Sequence, residues 1–407
     1  MERPADTAIG APAWSRPQAT SNVRFVAVLV AISLLALLAR IPLLQYQSGD
    51  YGSFLSNWYD HIQAQGFDAF SQRFSDYTPS YLYLLALATH LPFSKVVNIK
   101  LVELPFDVLL ALAAMLIVRE RHSSRLLQAA VYGGVLFLPT VIWNGAMWGQ
   151  CDAIFTSFAV LSLLFVLRDR PWLSVLMLGI SFAFKGQALF VAPALVLFTF
   201  KGRIPLFAWV LFPLPYLVAI FPAWLAGRPF MDLIYIYRDQ ADLYQRLVLG
   251  LPNVYQWLPN AAFLRAHAFR ISEVIILGFM ALLLFFRTRP GPRELVATAT
   301  FFAMLCPFFL PRMHDRYYFI ADVLSLVYAC YLPRSWYLPL LIVPVSMYSY
   351  WPYLYGSTPI HLKVLTGIAI LAMLKMLWDI WQLSRENTAR EPLIRLRIGP
   401  KTFAITA

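Results

Sequence analysis

Residues 25–38 read FVAVLVAISLLALL, and residues 274–286 read VIILGFMALLLFF. Neither run alternates apolar with polar residues, as the strands of a membrane barrel must. Lipid admits only helices and closed barrels, because every backbone polar group must find its partner within the protein. Uninterrupted runs of this kind therefore predict helices. The rest of the chain agrees. Of 407 residues, 60% are hydrophobic, 13% charged and 16% aromatic. A soluble protein carries about 45–50% apolar and about 25% charged residues. The composition excludes a disordered chain, a secreted disulfide scaffold and an ordinary soluble enzyme. It predicts an all-α integral membrane protein, a polytopic helical bundle.

A membrane span needs about 20 apolar residues. Candidate spans are 23–44, 98–118, 126–143, 153–168, 172–185, 187–200, 204–226, 271–286, 294–311, 317–332, 336–351 and 361–381. That is about 12 transmembrane helices, with roughly 11–14 admissible. The short ones must thin the bilayer or sit inside the bundle. Residues 1–20 are polar and rich in Pro and Ala, and are expected to form a disordered cytoplasmic arm. Residues 21–384 form the transmembrane domain, and 385–407 a basic tail.

The formal net charge of +12 is concentrated between spans. Arg119, Arg121 and Arg125 form one cluster, Arg168 and Arg170 another, and Lys201 and Arg203 a third. Arg287, Arg289 and Arg293 follow, and then the tail with Arg385, Arg390, Arg395, Arg397 and Lys401. Lys and Arg collect in cytoplasmic loops, so this charge marks sidedness and no nucleic-acid partner is expected. The opposite face then receives 45–80, 144–152, 185–187, 227–270, 312–316 and 352–360. The first of these holds Asp50, Asp60, Asp68 and Asp76 against Arg73, which suits an outer loop. It is also rich in aromatic rings, and both it and 227–270 are expected to carry amphipathic helices in the membrane interface. Residues 81–92 are apolar but short, and a half-inserted helix there preserves the parity of the loops. Cys151, Cys306 and Cys330 lie far apart, with no metal or disulfide spacing.

The outer helix ends collect residues that apolar packing does not need. Asp50 follows the first span. Asn144-Gly145-Ala146-Met147-Trp148-Gly149-Gln150-Cys151-Asp152 is more than a turn requires. Asp152 enters an apolar helix, where a carboxylate costs on the order of 2.5–3.5 kcal/mol, so it must face a wet cavity or a partner. Lys185 joins two apolar runs, either as a snorkelling helix-end lysine or as a cation for an anionic group. His314, Asp315, Arg316 and Tyr317 open another span; Arg matches phosphate geometry through its planar fork. Lys185, His314 and Arg316 together would supply positive donors to a phosphate. Carboxylates with aromatic faces suit a sugar. A sugar carried on a lipid phosphate fits both sets.

These elements carry a family resemblance. Gly49-Asp50-Tyr51, Asp76-Tyr77-Thr78-Pro79-Ser80-Tyr81, and Trp148-Gly149-Gln150-Cys151-Asp152 resemble, in that order, motifs of bacterial mannosyltransferases. Those enzymes are similar to glycosylphosphatidylinositol mannosyltransferase 2 of eukaryotes. Lys185-Gly186-Gln187, Leu251-Pro252-Asn253-Val254-Tyr255-Gln256-Trp257 and His314-Asp315-Arg316-Tyr317 extend the likeness over roughly residues 25–330. Ala153, Gly186 and Asp315 depart from the family's commoner Ser, Pro and Glu.

The resemblance implies a GT-C-type transmembrane fold and a glycosyltransferase using a polyprenyl-phosphate sugar donor. The implied acceptor is a glycolipid or glycan within membrane lipid. It implies that Asp50 is the catalytic base of an inverting displacement, with Lys185, Arg316 and His314 on the leaving phosphate. Asp152, Gln150 and Asn144 would orient hydroxyls, and Trp148 and Trp58 would stack on sugar faces. Asp76, Tyr77, Tyr317 and Asn253 complete the expected substrate site. No cofactor and no metal are expected. The family points to an inner membrane with the site facing the periplasm. A transporter or flippase of lipid-linked sugars, or an O-antigen-ligase-like transferase, remains an alternative.

Overall fold

A computed structural model describes residues 19–287, 290–386, 392, 394–399 and 401–405. The chain is helical almost throughout. The first part comprises α1 (Ala19–Arg40), α2 (Ser56–Gln65), α3 (Pro79–Ala88), α4 (Lys95–Leu101), α5 (Leu104–Arg119) and α6 (Arg125–Leu136). There follow α7 (Pro139–Ile142), α8 (Asp152–Leu167), α9 (Pro171–Phe184), α10 (Ala192–Phe200), α11 (Leu214–Leu225), α12 (Phe230–Ile234) and α13 (Ile236–Asp242). The last helices are α14 (Ala262–Phe285), α15 (Pro292–Phe309), α16 (Phe319–Tyr331), α17 (Leu338–Tyr355) and α18 (Leu362–Arg385). Two short ladders are added: β1 (Val248–Leu249) with β2 (Met313–His314), and β3 (Ile394–Ile398) with β4 (Lys401–Ile405).

Five helical segments are long and apolar enough to cross a membrane: Asn22–Leu43, Lys95–Arg119, Leu206–Leu225, Ala262–Phe285 and Leu362–Arg385. A sixth arises if the bent pair Arg125–Leu136 and Pro139–Trp148 is one span. Pro139 causes that bend of 45°. It lacks an N–H and pushes the preceding residue out of the helical region, and Leu138 has ψ 127°. Helices α8 and α9 are shorter, at 16 and 14 residues. Most of α8 is buried, so it sits inside the bundle.

The two kinds of loop lie at opposite ends of the bundle. At one end Arg125 reaches Asn22 at 2.7 Å, Arg168 reaches Glu120 at 2.8 Å and Arg203 reaches Asp169 at 2.8 Å. Lys201 pairs with Glu294 there, and Arg293 with Glu386. Asp50, Gln150, Lys185 and Arg316 gather at the other end around one cavity. Helix α3 leaves and returns at this cavity end. Just beyond it, Lys95 binds Asp60 at 2.7 Å and Asn98 binds Tyr59 at 3.0 Å, both on α2.

Three expectations need correction. Helix α14 begins at Ala262, nine residues before the expected span start at 271. Arg265, His267 and Arg270 made that stretch read as loop, but they lie on exposed helix faces where charge is tolerated. Helix α1 takes in Ala19 and Thr20, and the remainder of the expected arm lies outside the described residues. The tail is not featureless: β3 and β4 form an antiparallel hairpin whose Arg395 bridges to the backbone at Lys201 beyond α10.

Candidate functional site

Asp50 is aimed by capping interactions. The carbonyls at the end of the first span have no intrahelical partners. The buried Lys100 supplies them, donating to the carbonyls of Leu43 at 3.0 Å and Tyr46 at 2.6 Å. The Ser48 hydroxyl then donates to the Trp148 carbonyl at 2.7 Å. This ties the Asp50 loop to the 143–152 segment. Both strands of that junction are π-helical, over Tyr51–Leu55 and Trp143–Trp148, a form of backbone common at functional sites. Gly149 follows with φ 84°, the left-handed conformation that turns Gln150 back toward Asp50.

Asp50 is half-buried and accepts from three neutral donors. Trp148 Nε1 lies 2.9 Å and Gln150 Nε2 2.6 Å from its Oδ2, and Tyr353 OH lies 2.8 Å from its Oδ1. A carboxylate offers about four lone-pair positions. One position is left, on Oδ1, beside the cavity that Asp50 lines.

Asp152 is held differently. Lys185 Nζ is 2.6 Å from its Oδ1, and Asn144 Nδ2 is 2.8 Å and Arg316 Nε 3.5 Å from its Oδ2. It stands at the first position of α8, where free N–H groups favour an anion. Glu103 accepts the next one, from Ala153, at 2.6 Å. Lys185 is fixed by the segment Asp76–Tyr81. Thr78 and Ser80 hydroxyls cap the α9 carbonyls of Phe184 and Ala183, at 3.2 and 2.8 Å. Burial alone pulls Lys185 and Arg316 downward. Asp152 more than offsets that burial and holds both well above their ordinary pKa, so both stay protonated.

The loop 312–316 is pinned by the second long loop. Strand β1 pairs in parallel with β2, Val248 opposite Met313 and Leu249 opposite His314. Leu249 carbonyl accepts from Asp315 N at 3.1 Å. Burial pushes the Asp315 carboxyl up to about 7; Arg316 pulls it back and Asp50 adds to the rise. Burial, with Arg316 and Lys185, pushes the His314 imidazole well down. Burial also raises the Tyr77 phenol, which donates to Gln150 Oε1 at 3.1 Å.

The result is a cavity of about 670 Å³. Small-molecule sites fall in the range of about 300–1,000 Å³. Asp50, Trp58, Asp76, Tyr77, Trp148, Gln150, Lys185, His314, Arg316 and Tyr317 all line it. Asp76 sits toward the rim, 3.6 Å from Arg73. Trp58 packs with Tyr77 at 5.1 Å as an aromatic wall.

Five expected roles change. Asn144 and Asp152 do not line the cavity; they lie beneath it, 0% and 2% exposed, where Asp152 holds the two cations and Asn144 donates to Asp152. Asn253 is also absent from the lining. It caps the turn Val254–Gln256 through Tyr255 N at 3.1 Å and reaches the α15 carbonyl of Pro307 at 3.4 Å. Trp148 is only 1% exposed and stacks on Tyr353 at 4.3 Å, so its ring is no free platform for a sugar. His314, neutral near pH 7, is no cation for a phosphate. Tyr353 was missed because it lies in the aromatic run of α17, which reads as a span. Tyr244 and Gln240, also lining, lay unmarked in the second long loop. Asp315, which the sequence marks only as part of the His314–Tyr317 element, also lines the cavity.

Among the described residues, no group of three or more His, Cys, Asp or Glu side chains is placed to hold a metal ion. The sequence matches no protein-family model, and no curated protein matches it.

Proposed function

We propose that the protein is a membrane glycosyltransferase of GT-C type. In this reading it moves a hexose, mannose by resemblance, from a polyprenyl-phosphate donor to a glycolipid or glycan acceptor. The single observation that carries the reading is the pairing of two sites in one cavity. Asp50 retains an acceptor position among neutral donors, and Lys185 and Arg316 stay charged against Asp152. The first suits a hydroxyl that must lose a proton. The second suits an anionic leaving group.

The chemistry follows from those positions. The acceptor hydroxyl donates to Asp50 Oδ1 and passes its proton there as its oxygen bonds to the anomeric carbon. The sugar–phosphate bond breaks on the opposite side, with inversion. Lys185 and Arg316 hold the phosphate oxygens as charge develops on them. Gln150 and Tyr77 keep Asp50 oriented, and Trp58 offers its face to the sugar. The remaining helices complete about 12 spans, with the cavity facing the periplasm of an inner membrane.

Transporters of lipid-linked sugars call for charge deeper in the bundle. The Arg40–Asp107 pair at 2.9 Å is such a charge, and it is the observation that favours the second reading. One experiment separates the two. The purified protein is given radiolabelled polyprenyl-phosphate mannose or glucose with a native lipid extract. Label entering a new product is expected with one donor. Bound label without a product, in folded protein, would overturn the enzyme reading.

A further inference from the structure

Asp322 lies in α16 and is 0% exposed. Neither of its carboxylate oxygens completes a hydrogen bond of ordinary distance and angle, although the Thr140 and Ser346 hydroxyls lie close enough to act on it. The other buried carboxylates are all provided for. Asp107 has Arg40, Asp152 has Lys185, Glu294 has Lys201, Asp379 has Lys375, Asp315 has Arg316, and Glu103 has the Ala153 N–H. Among the described residues Asp322 alone lacks a cation or an N–H. A buried carboxylate in this condition costs several kcal/mol, and each such group calls for a partner such as water or an ion.

What surrounds Asp322 is oxygen. Thr140 of α7 and Ser346 of α17 are its hydroxyl neighbours, both 0% exposed. Tyr350 lies one turn on from Ser346 along α17, and Asp322 is the charge that acts on it most strongly. None of the three hydroxyl oxygens completes a hydrogen bond of ordinary geometry either, and Asn144 approaches Tyr350 from its other side. Five oxygens without a completed hydrogen bond therefore sit on three mutually packed helices, with no Lys or Arg acting on the carboxylate. Two of these helices carry a proline nearby: Pro139 opens α7 just before Thr140, and Pro344 lies inside α17.

We propose that Asp322, Thr140, Ser346 and Tyr350 form a buried site for a monovalent alkali cation. An all-oxygen donor set suits a hard cation. One carboxylate balances one positive charge; Ca²⁺ or Mg²⁺ would be left uncompensated and ordinarily takes more carboxylates or water. The site is separate from the cavity and independent of the transferase reading. It braces α7, α16 and α17, and Trp148 rests edge-on against Tyr350 at 5.5 Å.

The test needs no activity. Thermal unfolding of the full-length purified protein is followed in NaCl, KCl and choline chloride at equal ionic strength and fixed pH. A ligand bound only by the folded state raises the midpoint in a saturable way. The expected result is a midpoint higher by roughly 2–4 °C in Na⁺ or K⁺ than in choline. Asp322→Asn should abolish the difference, and Ser346→Ala should move half-saturation to higher salt. Equal midpoints in the three salts would overturn the proposal. So would a midpoint that follows pH but no cation, since Asp322 would then be held by a proton. The wild-type salt series decides alone if Asp322→Asn does not fold.

Discussion

Asp50 and Asp152 are two carboxylates of one polar cluster, and they are treated in opposite ways. Asp152 is buried, ringed by Lys185, Arg316 and Asn144, and cut off from the cavity. Asp50 is half-exposed, touches only neutral donors and faces the cavity. Cations neutralise a carboxylate; neutral donors orient it and leave its charge in place. The difference teaches that the acid opening the apolar helix α8 is a support. The acid in the loop is the one free to meet a ligand.

The contrast is open to being broken. Asp50→Asn keeps the size and the oriented neighbours but cannot take a proton. Transfer is expected to fall by about 10²–10⁴-fold, with an unchanged unfolding midpoint. Asp152→Asn should do the reverse, costing about 3–5 kcal/mol of stability by leaving two buried cations without their counter-ion. Thermal unfolding measures it; an Asp152→Asn protein of normal midpoint that had lost only transfer would erase the distinction. Lys185→Met should weaken donor binding about 10–100-fold, read by titration with polyprenyl-phosphate sugar. Tyr353→Phe removes one of three donors to Asp50, and transfer should drop by only about 3–10-fold.

A separate effect is one of pH. Asp315 rises from 3.8 to about 7 on folding. The folded state then binds the proton more tightly, so stability is lost as pH rises from about 4 to 7. Compared with Asp315→Asn, the wild-type midpoint should therefore decline across that window and run level above it. A wild-type midpoint that instead climbed relative to the variant would show Asp315 to be held as an anion.

Much of this arrangement is legible in the sequence, for physical reasons. Unbroken apolar runs place the helices, and basic clusters group the loops at one end. Residues too polar for helix ends, Trp148, Gln150, Lys185 and Arg316, do converge. Their division of labour is not legible, because it depends on partners distant in the chain. Asp152 becomes a counter-ion only when Lys185 and Arg316 arrive from two other loops. Tyr353 hides among aromatic residues that packing alone would explain. Asn253 has the composition of a site residue and the geometry of a cap. Asp322 is a lone acid in an apolar helix, and only the absence of an N–H or cation around it sets it apart.

The most direct measurement is to read donor binding and sugar transfer side by side for Asp50→Asn and Lys185→Met, each with its unfolding midpoint. The account predicts a crossed pattern. Asp50→Asn binds the donor normally and transfers about 10²–10⁴-fold more slowly, whereas Lys185→Met binds poorly. Equal losses of binding in both variants, or normal transfer by folded Asp50→Asn, would contradict it.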